Sequence, residues 1–280
     1  MKFKRQKMKL DDIGTQLLFC TVPLLVEKEK ERHTGTGFLF NFSISENESI
    51  PLLITNLHLV ENAKKVWVEF HGSTNSSPDK TKRIRVEIDG DFISQYTPFS
   101  KNFNEDIFAF PIAGILDQVI KQKGEIFFKS ITQSFCLKKT ELENCAAIET
   151  VTIIGYPKGI CDPENWLPIV RQGITATPVW NNFNGKSSFL IDAGIFPGSS
   201  GSPVFLYNQG SYSTNTGITI GTRLAFIGIV AETYIDKADS NTYLGLGKVI
   251  NSDKVLEFVK SLMNQIQSKQ SLPPLIQSAN

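Results

Sequence analysis

The sequence has little net charge, few histidines and few cysteines. Its 29 Lys+Arg residues stand against 28 Asp+Glu, so no field of one sign marks it for nucleic acid or an anionic membrane surface. The four cysteines, Cys20, Cys136, Cys145 and Cys161, form no CxxC pair, and the three histidines, His33, His58 and His71, stand outside zinc-ligand spacing of them. That excludes the common structural metal sites, and neither metal nor other cofactor is expected. Four cysteines are also too few to staple a chain of 280 residues, so reduced, buried thiols are expected. Long apolar runs are missing: nothing approaches the ~20 residues needed to span a membrane. "MKFKRQKMK" followed by "LLFCTVPLLV" imitates a secretory leader, but Asp11 and Asp12 intervene, Pro23 interrupts, and no small-residue cleavage site precedes "EKEKER". A soluble, cytoplasmic protein is the expectation.

What the chain does have is 41% hydrophobic residues, enough at this length for one large domain or two packed halves. They fall in short β-rich runs such as "TGFLFNFSI", "PLLITNLHLV", "KVWVEFHG", "RIRVEID", "VTIIGYP" and "RLAFIGIVAETYI", with Gly, Pro, Asn or Asp between. About a dozen strands at this spacing predict an all-β barrel or sandwich architecture, in two groups of about six. Residues 114–144, without sustained alternation, read as the connection between the groups. A helix is predicted near the end, capped by Ser252, with Asp253 in its first turn and Val255, Val259, Leu262 and Ile266 on one face against the second group. "HGSTNSSPDK" and "YNQGSYSTNTG" read as exposed loops, and residues 271–280 as a frayed tail.

One stretch breaks the β pattern: "FPGSSGSPVF", residues 196–205. Glycine and serine between two apolar runs mark a turn that something must approach closely. A serine there becomes a nucleophile only with a base to take its proton, a group to orient that base, and backbone donors for the oxyanion. Gly198 and Ser200 can offer their N–H groups to one point if the turn is tight. For the base, His33 and His71 sit beside polar loops and read as solvated, whereas His58 ends the buried-looking run "LLITNLH". For the orienting carboxylate, "NEDIFAFPI" places Asp106 at the entrance to an apolar strand, where a histidine partner makes sense of a buried charge. An esterase of the α/β-hydrolase kind does not fit, because Ser202 stands where its GxSxG elbow needs glycine and alternating helices are missing.

With those residues in view, the chain resembles the trypsin-like (chymotrypsin-fold) serine peptidases, and within them the HtrA/Deg-type protease domain. "TGTGFLF", "LLITNLHLVENA", "EDIFAFPI", "IIGYPKG", "VRQGITA", "DAGIFPGSSGSPVF" and "GLGKVI" each resemble a family block, in family order, over roughly residues 15–260. The resemblance implies two six-stranded antiparallel β-barrels, residues 1–125 carrying His58 and Asp106, and residues 126–270 carrying Ser200 and the C-terminal helix. It implies His58 as general base then acid, Asp106 as its orienter, Ser200 as nucleophile, and the Gly198 and Ser200 N–H groups as the oxyanion hole. It further implies a protein or peptide substrate paired as an added strand with Ala231, Glu232 and Thr233, a primary pocket lined by Gly194 and Ile195, and Gly245 and Gly247 opposite. No acid stands six positions before Ser200, so a small or medium apolar residue before the scissile bond is expected. A peptide-binding descendant without catalysis is the alternative. Ser199 and Ser202 depart from the family pattern, the former arguing against activation by a newly cut N-terminus. No PDZ module is expected after residue 260, and restraint is expected from a deformed oxyanion loop or a regulatory partner protein.

Overall fold

The structure is a computed structural model that describes residues 10–235 and 242–268. The first half forms β1 (Thr21–Glu27), β2 (Arg32–Ser43), β3 (Ser49–Thr55), β4 (Lys65–Thr74), β5 (Ser77–Asp89), β6 (Phe108–Pro111), β7 (Ile126–Phe127) and β8 (Ile131–Thr132). Strict alternation shapes them: in β5, Ile84, Val86 and Ile88 are buried while Arg83, Arg85 and Glu87 are exposed, the pattern of a sheet covered on one face. The strands join in the order β5-β4-β1-β2-β3-β6, with β7 added to β4 and β8 to β2.

Two closed barrels were expected, and this first sheet departs from that. Among the described residues it is a path with free ends, because the chain leaves β5 into two helices, Gly90–Ser94 and Thr97–Phe103, before reaching β6. Phe92 and Tyr96 from this helical insert pack their rings on Phe110 of β6, at 5.5 and 6.1 Å between centroids. Side-chain packing thus covers the end strand where a ladder of backbone bonds would have closed the barrel. The sheet also runs past residue 125, since β7 and β8 still pair with β4 and β2.

The second half does close. Its strands are β9 (Thr150–Gly155), β10 (Ile169–Thr175), β11 (Ser188–Asp192), β12 (Pro203–Asn208), β13 (Ser211–Thr214), β14 (Gly217–Ile220), β15 (Arg223–Ile235) and β16 (Tyr243–Asn251). Six of them form a closed barrel in the order β10-β11-β16-β15-β12-β9, and β13 with β14 makes a separate hairpin. Both stretches expected as exposed loops are therefore hairpins. In the first, Asn75 and Ser76 have φ of 51° and 56°, the left-handed pair that lets two residues join strands of native twist.

One core cluster spans both halves, and a second fills the closed barrel. Phe38 of β2 meets Phe226 of β15 at 5.4 Å, and Phe205 of β12 packs on Phe226 at 6.0 Å. Full burial of such rings removes their area from water at roughly 25 cal/mol per Å², which fixes the two halves against each other and makes the groove between them a stable feature. The predicted helix is present as Ser252–Ser268, with Val255, Val259 and Leu262 buried. The Ser252 hydroxyl does not cap it but donates to the Leu137 carbonyl at 2.8 Å. Phe258 also reaches Phe99 and Phe103 of the helical insert, at 5.2 and 5.0 Å, so the helix braces both halves rather than the second alone. The expected tail, 271–280, lies outside the described residues.

Candidate active site

His58 sits in the single helical turn Leu57–Val60 that follows β3. Asn56, fully buried, precedes it and donates its Nδ2–H to the Asp106 backbone carbonyl at 2.7 Å. The turn and the approach to β6 are thereby locked together. Asp106 then grips His58 at two points: Oδ2 lies 2.6 Å from Nδ1, and Oδ1 accepts the His58 backbone N–H at 2.9 Å. A carboxylate on Nδ1 fixes the tautomer with its proton there and leaves Nε2 as the lone-pair nitrogen.

Ser200 approaches from the other half. It shares a cavity of about 480 Å³ with His58, Asp106, Ala231, Glu232 and Thr233, completed by Pro197, Tyr243 and Lys248. The His58 imidazole hydrogen-bonds Asp106 and makes no hydrogen bond to Ser200.

The backbone around Ser200 has a specific arrangement of its four peptide groups. The Gly198–Ser199 peptide is tied at both ends, its carbonyl accepting from the Thr36 hydroxyl at 3.2 Å and its N–H donating to Phe196 O at 3.0 Å. The Ser200–Gly201 peptide is likewise tied, to Thr36 N–H at 3.0 Å and to Val230 O at 2.9 Å. The two peptides that alternate with them are held by their carbonyls only, Pro197 O by Lys158 N–H at 2.7 Å and Ser199 O by Ser202 N–H at 3.0 Å. All are trans, so each of those N–H groups points away from its anchored carbonyl. Among the described residues, the Gly198 and Ser200 N–H groups therefore have no acceptor. Free backbone donors beside a serine hydroxyl are what an oxyanion requires.

Glycine is needed at two positions of this loop. Gly198 has φ +88° and Gly201 φ +85°, and a Cβ would press on the Lys158 and Tyr156 backbone at the first and on Thr36 O at the second.

Other expected site residues are placed differently. Ile195 is fully buried in the barrel core, and neither it nor Gly194 lines the cavity. The Ile195 N–H donates to Gly245 O at 3.1 Å, and Gly247 has no room for a side chain beside Ile195. These glycines let the two segments pack directly on each other. The Arg171 guanidinium hydrogen-bonds Gly194 O and lies 5.0 Å over the Phe196 ring, bracing the segment from behind. Lys248 has its Nζ 3.6 Å from Glu232, so the charge of Glu232 at the cavity wall is partly neutralised. Sequence reasoning missed Thr36, Tyr243 and Lys248. Only Thr36 carried a signal, as a small polar residue between two glycines of "TGTG".

The thiols fit the expectation of free cysteines: all four are unpaired, three buried and Cys161 half-buried. Burial pushes Cys20 and Cys136 up to about 12 and Cys145 up to about 11, which leaves them protonated and inert. Among the described residues no group of three or more His, Cys, Asp or Glu side chains is placed to hold a metal ion, and no helix is long and apolar enough to cross a membrane.

One closed six-stranded barrel packed on a second sheet, with a helix after the last strand, is the chymotrypsin-like architecture. The family profile of the trypsin-like peptidase domain matches residues 35–212, more than half of the chain, and the chain belongs to that family. Among solved structures, the HtrA-type protease AlgW with a tripeptide shares 17% identity, covering 90% of this chain and 62% of its own, with a TM-score of 0.45. A variant of that protease with a tripeptide shares 15% over 91% and 64%, with a TM-score of 0.49. This chain thus spans less than two thirds of either. The thermostable serine protease AL20 from an extremophilic microorganism shares 14% over 88% and 97%, with a TM-score of 0.49. No curated protein matches the sequence significantly.

Proposed function

We propose that this trypsin-like peptidase-domain protein is an active serine endopeptidase. Ser200 Oγ attacks the scissile carbonyl while His58 Nε2 takes its proton, and the carbonyl oxygen, now an anion, settles between the Gly198 and Ser200 N–H groups. His58 returns the proton to the leaving amine, and the acyl group remains on Ser200 until water, deprotonated by the same imidazole, releases it. Asp106 holds the ring in the required tautomer and stabilises the imidazolium formed at each step. The peptide lies along Ala231–Thr233 as an added strand. The observation that carries this reading is that Ser200, flanked by acceptor-free N–H groups at Gly198 and at its own position, lines the same cavity as the His58–Asp106 pair.

The same observation favours restraint by a partner protein over a deformed oxyanion loop, since the loop holds both donors free. A cytoplasmic location belongs to the proposal and is supported by the unpaired thiols. The test is cleavage of an unfolded protein such as reduced, alkylated casein. Wild type is expected to generate new amino termini and Ser200→Ala none. Casein left intact while peptides still bind the cleft supports the non-catalytic alternative.

A further inference from the structure

The loop that bears Ser200 belongs to the second half, yet the residue that fixes it stands in the first. Thr36 of β2 is fully buried and uses every polar group it has on this junction. Its N–H donates to Ser200 O at 3.0 Å, its hydroxyl donates to Gly198 O at 3.2 Å, and that hydroxyl accepts the Tyr156 N–H at 3.0 Å. Its carbonyl accepts from the Thr55 hydroxyl at 2.8 Å, which ties Thr36 to the strand that leads into His58.

The consequence is geometric. A peptide unit is planar, so anchoring its carbonyl fixes the orientation of the whole unit and restrains the backbone on either side of it. Thr36 anchors the two peptides that flank Ser199–Ser200, and rotation of either would swing a carbonyl toward the position the oxyanion must occupy. Tyr156 matters because its N–H occupies one lone pair of the Thr36 hydroxyl, which directs the hydroxyl hydrogen toward Gly198 O. We infer that Thr36 is a positioning residue for the oxyanion hole, acting from the opposite half of the molecule through its hydroxyl. This inference rests on the peptidase reading above. It also gives that half a second task beyond carrying His58 and Asp106, because the two peptides it holds in place adjoin those that carry the Gly198 and Ser200 N–H groups.

The decisive variant is Thr36→Val, which keeps the shape and the backbone contact to Ser200 and removes only the hydroxyl. It leaves the Gly198 carbonyl free to turn and the Tyr156 N–H unpaired. The matched control is Thr175→Val. The Thr175 hydroxyl is also buried and makes the same two kinds of bond, accepting from Glu149 N–H at 2.9 Å and donating to Ala147 O at 3.1 Å, but away from the cleft. For Thr36→Val we expect kcat on a peptide substrate to fall about tenfold to a hundredfold with KM little changed, because the loss falls on the transition state. Thr36→Ser is expected to restore most of it. Thr175→Val is expected to lower stability comparably and leave kcat alone.

Equal kcat in wild type and Thr36→Val, or equal losses in Thr36→Val and Thr175→Val, overturns the inference. If wild type itself proves inactive, the peptidase reading falls separately. Crystal structures of wild type and Thr36→Val then decide the role of Thr36: a Gly198 carbonyl turned away from residue 36 in the variant supports it, and an unmoved loop overturns it.

Discussion

Asp106 holds His58 by both its side chain and its backbone, one carboxylate oxygen 2.6 Å from Nδ1 and the other accepting the main-chain N–H at 2.9 Å. The ring and the turn that carries it are thus positioned by a single acid. The side chains remain 47% and 31% exposed, so the pair is open to substrate and its main role is geometric rather than one of stability. Asp106→Asn keeps the size but offers an N–H toward Nδ1, which favours the wrong tautomer. Peptidase activity is expected to fall by about 10⁴-fold, with the melting temperature nearly unchanged. Steady-state kinetics beside a thermal melt checks both halves of that expectation.

The Glu149–Arg223 pair lies away from the cleft and bears on stability. Arg223 Nη2 lies 2.5 Å from Glu149 Oε2, with side chains 13% and 4% exposed, and the Arg223 guanidinium stacks 4.3 Å over Tyr212 of the hairpin. Removing one member leaves the other charged and buried. Glu149→Ala is expected to destabilise by about 3 kcal/mol or more, read as a shift in the urea midpoint, with catalytic constants unaffected.

A pH dependence follows from His71. Its ring packs edge-on to Phe19 at 5.1 Å, and Nε2–H donates to Asn165 O at 3.0 Å. Burial pushes its pKa below the ordinary 6.5, so the fold prefers the neutral ring while the unfolded chain still takes up a proton near 6.5. This contribution to stability is complete above pH 6.5 and is lost as pH falls below it toward the lowered folded value. Urea titrations between pH 7.5 and 5 should show stability falling in wild type, with a shallower slope in His71→Gln. Equal slopes would contradict the assignment.

Substrate choice follows from the cavity walls. Among the described residues its lining includes no unpaired acid: Asp106 is paired with His58, and Glu232 shares its charge with Lys248. A positional peptide library is expected to favour small or medium apolar residues before the cleaved bond and to show no preference for Lys or Arg there. Glu232→Gln is expected to change kcat/KM by about threefold at most, since rim charges act mainly on encounter.

Much of this was legible in the sequence, for physical reasons. His58, Asp106, Gly198 and Ser200 stand out because each interrupts an apolar pattern at a place where polarity or small size has to be explained. Alternation placed most of the strands. Closure of the first sheet was not legible, because it turns on whether β5 and β6 meet, and the packing of Phe92 and Tyr96 on Phe110 is a tertiary contact with no local signature. The hairpins at Asn75–Ser76 and β13–β14 were missed because polar strands that pair outside the core share the composition of loops. The direction of the Ile195 side chain was not legible, because position relative to Ser200 does not reveal which way a side chain faces, and here it turns into the barrel.

The central claim is that Ser200 is an activated nucleophile served by His58. The most direct measurement is reaction of the folded chain with a fluorophosphonate, followed by peptide mapping of the adduct. A single adduct on Ser200, lost in Ser200→Ala and strongly slowed in His58→Ala, is the predicted result. A wild-type chain that stays unmodified, or one labelled equally fast without the imidazole, would contradict it.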